Sequence, residues 1–167
     1  MEYILREFKE TDLDSLVKHL NNPNVLRWKS DSYPYPFTIE DGKKALSRYM
    51  NNNKPATHFA IEVNGEAVGA AHARIDEDIY EKNAEISIWV GEDYWGTGIS
   101  KEVVREFVDY LFDSFDLERI YATLFATNIR PQGFVKLGFK YEAKLEKGRY
   151  KDGVFYDELI GSLLKGK

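Results

Sequence analysis

Residues 90–100 read Val90-Gly91-Glu92-Asp93-Tyr94-Trp95-Gly96-Thr97-Gly98-Ile99-Ser100. This stretch joins two patterns of different period. Before it, Ala84 to Val90 alternates as a strand does, with Glu85, Ser87 and Trp89 on one face and Ile86, Ile88 and Val90 on the other. After it, Val103, Val104, Phe107, Val108, Leu111 and Phe112 recur at helical spacing and predict a long amphipathic helix. A helix N-terminus directs free N–H groups and a partial positive charge at one point. Two glycines just before it permit close backbone approach and unusual dihedrals. Together these features suit a pyrophosphate, although an ordinary tight turn uses the same residues. Two phosphate-loop types are excluded by detail. A Walker loop needs Gly-Lys-Ser/Thr, which this chain lacks. A dinucleotide fingerprint needs a third Gly where Lys101 stands, and it opens an α/β unit, whereas here a hairpin comes first.

That hairpin is announced by Phe59, Ile61 and Val63 alternating with polar neighbours, then Asn64-Gly65, then a return strand from Glu66 to Ile75. Asp76-Glu77-Asp78 reads as a turn. Further upstream, Tyr3 to Phe8 has strand spacing, and Thr11 begins a capping-box-like start for a helix carrying Leu13, Leu16, Val17 and Leu20. Asn21-Asn22-Pro23-Asn24 stops it. The segment Arg27 to Phe37 carries Trp28, Tyr33, Tyr35 and Phe37 with Pro34 and Pro36 between, which rules out a regular helix. It packs the core, walls a substrate pocket, or does both. Thr38-Ile39-Glu40-Asp41 starts a second helix with Ala45, Leu46, Tyr49 and Met50 inward. Downstream come a strand from Arg119 to Thr127, Asn128 and a short helix. Two closing strands, Lys140 to Leu145 and Val154 to Leu164, flank the Lys151-Asp152-Gly153 turn. There is no repeat, low-complexity tract or linker. The order is strand, helix, helix, three strands, helix, strand, helix, two strands. It predicts one mixed α/β (α+β) domain over residues 1–167, with antiparallel strands feeding a crossover around the central helix.

Composition agrees. The chain has 167 residues, 43% apolar and 31% charged, enough for a full core. Cysteine is absent, which excludes disulfides, thiolate nucleophiles and cysteine metal sites. The three histidines, His19, His58 and His72, show no metal spacing, and His72 falls in a central strand. Lys and Arg total 23 against 28 Asp and Glu, a net charge of −5. That disfavours nucleic acid, whose binding rests on phosphate neutralisation, and the overall field suits a cationic substrate such as an amine. No apolar run approaches the roughly 20 residues of a membrane span. The N-terminus lacks the zones of a signal peptide. A cytoplasmic protein without membrane attachment is expected, as monomer or homodimer.

The loop and its surroundings resemble the GNAT-superfamily N-acetyltransferases. The family's acetyl-CoA loop follows Gln/Arg-x-x-Gly-x-Gly/Ala, and Tyr94-Trp95-Gly96-Thr97-Gly98 is similar to the variant typical of the branch acetylating the N-terminal residue of ribosomal proteins. Ser100 departs mildly from the usual last residue. The likeness spans nearly the whole chain, through Leu5-Arg6, Tyr35-Pro36-Phe37-Thr38, Ala84-Glu85-Ile86, Asn128, Lys136-Leu137-Gly138-Phe139 and Lys151-Asp152-Gly153-Val154-Phe155-Tyr156-Asp157. It implies a mostly antiparallel central sheet splayed at the cofactor strand, flanked by about four helices, with acetyl-CoA as the acyl donor. By the family's arrangement, main-chain groups of Ile88, Trp89 and Val90 would hydrogen-bond the pantetheine. Those of Trp95, Gly96, Thr97, Gly98, Ile99 and Ser100 would hold the pyrophosphate. Asn128 would touch the cofactor, unless it is a helix N-cap, and Lys136 would approach the adenosine end, unless it is a solvated lysine.

The implied chemistry is acetyl transfer to an amine, either a protein N-terminus or a small molecule. The attacking nitrogen must be neutral, and α-amines titrate at about 7.7–8.0 and lysine at about 10.4, so a base assists. Glu85 is the candidate, with a surface charge or a salt-bridge partner as its alternative. Tyr33, Tyr35, Trp28 and His72 are candidates for the acceptor pocket. In the resembled branch a Ser commonly stands three residues after the Asn, but here Pro131 does. Proline donates no proton, so a second reading is an acyl-CoA-binding sensor with little turnover.

Overall fold

The computed structural model describes residues 1–128 and 131–166. Seven strands, β1 (Ile4–Arg6), β2 (His58–Val63), β3 (Glu66–Ile75), β4 (Asn83–Val90), β5 (Arg119–Phe125), β6 (Lys140–Lys151) and β7 (Val154–Leu164), alternate with four α-helices among the described residues. These are α1 (Leu13–Leu20), α2 (Pro23–Leu26), α3 (Ile39–Met50) and α4 (Ile99–Ser114). The sheet order is β1-β2-β3-β4-β5-β7-β6. β4 and β5 run parallel, which requires a crossover, and α4 supplies it. Their register is described for Asn83, Ala84 and Glu85 opposite Arg119, Ile120 and Tyr121. β5 by contrast pairs with β7 along its full length.

Local chemistry explains most element boundaries. Both short hairpins turn on paired residues at positive φ, Asn64 (51°) with Gly65 (83°) and Asp152 (50°) with Gly153 (79°), the combination whose twist matches the strands. Thr38 caps α3: its hydroxyl accepts from Asp41 N–H, and the Asp41 carboxylate accepts from Thr38 N–H at 3.0 Å. The α1 start differs from expectation. A 3₁₀ turn, Glu10–Asp12, comes first, and Thr11 lies inside it; the Asp12 carboxylate closes that turn by accepting from Lys9 N–H at 2.8 Å, is gripped by both Arg6 amino groups at 2.7 and 2.8 Å, and Asp12 is the residue from which α1 starts. Asn21-Asn22-Pro23-Asn24 ends α1 as expected and also begins α2, with Asn22 accepting from Asn24 N–H and Pro23 in the first helical turn. The expected inward Met50 is exposed, since it is the last helical residue. β1 is shorter than its pattern. β6 is longer and continues past Leu145 through an irregularity, where Lys147 takes φ 53°. The expected helix after Asn128 is a 3₁₀ segment, Pro131–Leu137, and the Pro131 side chain lies outside the described residues.

A bulge interrupts the β2–β3 hairpin and resets its register. The tight turn pairs Val63 with Glu66 and Glu62 with Ala67, but Ile61 then pairs with Gly69, leaving Val68 as the extra residue. His58 thereby faces His72; an unbroken register would have placed it opposite Ala71.

The chain divides into two compact units, Met1–His72 with Ile88–Val104, and Ala73–Ser87 with Arg105–Lys167. The first buries Leu16, Leu20, Val25, Leu26, Phe37, Ala45, Leu46 and Trp89 in one apolar cluster. The second buries Phe107, Leu111, Leu117, Ile120 and Phe139. Each buried aliphatic or aromatic side chain contributes about 1.5–3 kcal/mol.

Candidate functional site

The glycine loop is fixed from several sides. Gly91 N–H donates to the carbonyl of bulged Val68 at 2.8 Å, and a Cβ on Gly91 would meet His19 Nδ1 at 2.4 Å. Asn22 and Asn24 donate to the two oxygens of Glu92 at 2.7 and 2.9 Å, so the asparagines that begin α2 also anchor the approach to the loop. The Trp95 indole N–H donates back to Val90 O at 3.0 Å, which ties the loop to the end of β4. The Thr97 hydroxyl donates to Tyr94 O at 2.8 Å. Gly96 (φ 78°) and Gly98 (φ 87°) occupy the left-handed region, where a side chain is strained. Yet a Cβ at either would meet nothing within 4 Å. Conformation, and not crowding by the protein, demands glycine here, and the backbone is left approachable. α4 starts at Ile99, whose side chain is buried, with its first-turn N–H groups beside this bared loop. Chain and helix end together fit a diphosphate.

In the same unit an aromatic group surrounds a lysine. Lys29 Nζ lies 4.9 Å from the Tyr33 ring centre and 5.2 Å from that of Trp89. The Arg48 guanidinium lies 5.4 Å from Tyr33. Tyr33 and Tyr49 share a hydroxyl–hydroxyl bond of 2.8 Å, and Tyr49 leans on His58, which stacks on His72 at 5.6 Å. Burial, helped by the Arg48 charge, lowers Lys29 to about 7. Burial also lowers His72 to about 3, with Lys29 and His58 adding to it, so its ring is neutral near pH 7. His72 Nδ1 is buried with no hydrogen-bond partner. The bulge matters here twice, pairing the two histidines and placing Gly69 where a Cβ would sit 2.3 Å from Trp89 O. Of the four pocket candidates, Tyr33 and His72 join this group. Trp28 lies under Arg27 at 4.7 Å. Tyr35, between two prolines, is exposed and makes none of these ring contacts.

The second unit carries the carboxylate. Arg74 Nη2 pairs with Glu85 at 2.8 Å and donates to the Tyr121 hydroxyl at 3.1 Å. Tyr121 donates in turn to Asp76 at 3.0 Å. The Thr123 hydroxyl donates to Glu85 at 3.0 Å while accepting from Arg149 at 2.8 Å, and Arg149 Nε donates to Glu158 at 2.9 Å. Burial raises the Tyr121 phenol above its ordinary value, which keeps it a donor. Both Glu85 oxygens are therefore held in place.

Comparison with known proteins now decides the family. Residues 3–140 match the model of the Acetyltransferase (GNAT) domain. The chain belongs to the GNAT acetyltransferase family. It is 32% identical to the uncharacterized N-acetyltransferase YoaA of Bacillus subtilis (strain 168), over 97% of this chain and 93% of that protein. Its fold is similar to RimL, the ribosomal L7/L12 alpha-N-protein acetyltransferase solved with coenzyme A, with TM-score 0.85, 19% identity and coverage of 97% of this chain and 93% of that one. It is also similar to the spermidine N-acetyltransferase of Vibrio cholerae solved with CoA and spermine, with TM-score 0.80, 19% identity and 99% and 96% coverage.

Within this GNAT domain the remaining candidates are placed less centrally. Asn128 follows β5 with its Oδ1 buried and its N–H donating to Phe125 O at 2.9 Å. Lys136 is exposed on the 3₁₀ segment. No helix among the described residues is long and apolar enough to cross a membrane. Sequence reasoning missed Lys29, Arg48, Arg74 and Thr123. The signal for Lys29 was its position inside an aromatic stretch; Arg74 and Thr123 needed the strand register.

Proposed function

We propose that residues 1–167 act as one N-acetyltransferase domain that moves the acetyl group of acetyl-CoA to a primary amine, a protein N-terminus or a small molecule. The observation that carries this reading is the loop at Gly96 and Gly98, left-handed and open where side chains would stand, at the start of α4. Acetyl-CoA supplies a thioester-activated acetyl group. Main-chain N–H groups of residues 96–100 hold the diphosphate, that of Trp95 being already bonded to Glu92 O at 3.0 Å, and the Ile88, Trp89 and Val90 backbone, on the part of β4 past its described register with β5, hydrogen-bonds the pantetheine amides. Asn128 and Lys136 complete the cofactor contacts. Glu85, fixed by Arg74 and Thr123, receives the ammonium proton of the acceptor through water, which frees the nitrogen lone pair for attack. Tyr33 and His72 line the acceptor side. A cytoplasmic location, where acetyl-CoA is made, goes with this reading.

Pro131 favours a second reading, a sensor that binds acyl-CoA and turns over little, because no hydroxyl stands at that position to protonate a departing thiolate. Calorimetric titration of acetyl-CoA into the wild type and Gly98→Glu tests the first step. Micromolar binding that the substitution abolishes is expected, because a carboxylate at that position opposes the diphosphate. An amine panel then separates the two readings, with acetyl transfer expected. Absence of wild-type binding overturns both.

A further inference from the structure

We infer that the amine this domain acetylates also carries an oxyanion, a carboxylate or phosphoryl group, and that Lys29 and Arg48 hold it. The inference rests on the transferase reading and names the acceptor class for that same site.

The argument starts from pairing. Arg6, Lys18, Lys43, Lys54, Arg74, Lys82, Arg119, Lys144 and Arg149 each lie against a carboxylate. Lys29 and Arg48 do not: among the described residues neither has a carboxylate within 4.0 Å, and both lie over the ring of Tyr33. An aromatic face attracts a cation through its quadrupole but carries no net charge. It cannot neutralise two like charges placed on one ring. The Lys29 ammonium is half-buried between Tyr33 and Trp89, and burying a charge without a partner costs free energy. Its lowered pKa expresses the same cost. The arrangement becomes favourable once an oxyanion arrives, because a carboxylate or phosphoryl oxygen accepts short, charge-assisted bonds from ammonium and guanidinium together.

His72 adds a neutral donor. Its Nδ1 is buried without a partner, and burial keeps the ring uncharged, so in the Nδ1–H tautomer it offers one further hydrogen bond to the same class of ligand. Trp89, the ring under Lys29, sits in β4 directly before Val90 and the loop, so the cationic group belongs to the unit that holds the glycines. This local field is opposite in sign to the net charge of −5. A polyamine brought to Lys29 and Arg48 meets repulsion from both.

The test uses the full chain, saturating acetyl-CoA and acceptors matched except for charge: γ-aminobutyrate against γ-aminobutyramide, with phosphoethanolamine and spermidine alongside. The expected kcat/KM is about tenfold or more higher for γ-aminobutyrate than for its amide, the size of one charge-assisted contact. Lys29→Met and Arg48→Met should each bring that ratio toward one, mainly through KM. Preference for phosphoethanolamine over γ-aminobutyrate supports the inference and identifies the phosphoryl source. Equal or better use of the amide or of spermidine overturns it. Calorimetry on the same samples keeps the two failures apart, since loss of acetyl-CoA binding removes the transferase reading itself. Should none of the four acceptors be acetylated, ¹³C-lysine NMR decides. γ-Aminobutyrate or phosphoethanolamine should raise the Lys29 titration midpoint in the wild type, and a midpoint that neither moves overturns the subsite.

Discussion

Glu85 and Lys29 stand in opposite electrostatic arrangements. Around Glu85, every charge is answered: Arg74 and Thr123 hold its oxygens, Tyr121 and Asp76 hold Arg74, and Arg149 ties Thr123 to Glu158. Around Lys29, rings and a second cation take the place of acids, and one histidine nitrogen is left without a partner. The first region is complete in itself, and its hydrogen bonds specify one geometry. The second is complete only when something negative is added. A catalytic group benefits from the first kind of surroundings, because it must be held still. A recognition group benefits from the second, because the cost stored in the free protein is returned on binding.

The largest effect is expected at the satisfied region. Glu85→Gln keeps the shape and the hydrogen bond to Thr123 but removes the proposed base, so kcat should fall about 10²- to 10⁴-fold while calorimetric affinity for acetyl-CoA stays near wild type. A turnover within threefold of wild type would assign Glu85 to structure alone. Next comes Lys29→Met, read as stability against pH. Lys29 titrates near 7 folded and about 10.4 unfolded. Below pH 7 both states are protonated and the full burial cost is present; as pH rises from 7 to about 10.4 the unfolded chain binds more protons, and wild-type stability climbs. The variant should therefore be more stable than wild type at pH 6, by on the order of 1–3 kcal/mol after solvent screening, with the advantage gone near pH 10. Denaturant midpoints across that range check it, and an advantage that does not depend on pH would contradict it. Gly69→Val pushes a Cβ onto the Trp89 carbonyl and displaces the ring beneath Lys29. A loss of about 1–3 kcal/mol is expected, together with a lower Lys29 titration shift in the NMR spectrum. The smallest effect belongs to Thr123→Val, which removes one donor to Glu85 and one acceptor from Arg149. It should cost about 1 kcal/mol, with a fall in kcat and no change in KM for acetyl-CoA.

Much of this was legible in residue order, and the limits reflect where information is stored. Asn64-Gly65 and Thr38-x-x-Asp41 carry their own geometry, so β3 and α3 begin where those residues say. The loop at residues 95–100 is equally local. α2 escaped notice because four residues are barely one helical turn and show no period. The Asp12 start of α1 depends on Arg6, which reaches it only once the chain has folded back. The pairing of His58 with His72 depends on Val68 bulging out of register, and nothing in the alternation of that strand marks the slip. Glu85 was readable as a carboxylate on a strand. Its partners were not, because Thr123 reaches it only through the parallel pairing of two strands separated by all of α4.

That parallel pair sets an order of assembly. The β2–β3 and β6–β7 hairpins close across two-residue turns, local events on the scale of microseconds. β4 and β5 cannot meet until the intervening loop and α4 are in place, and closing so long a segment loses more chain entropy before any contact repays it. The glycine loop, the proposed diphosphate site, lies inside that segment. Its competence to hold a nucleotide should therefore appear late, after most of the protein's secondary structure, and a CoA-binding signal followed through refolding would time the last topological step and not the collapse before it.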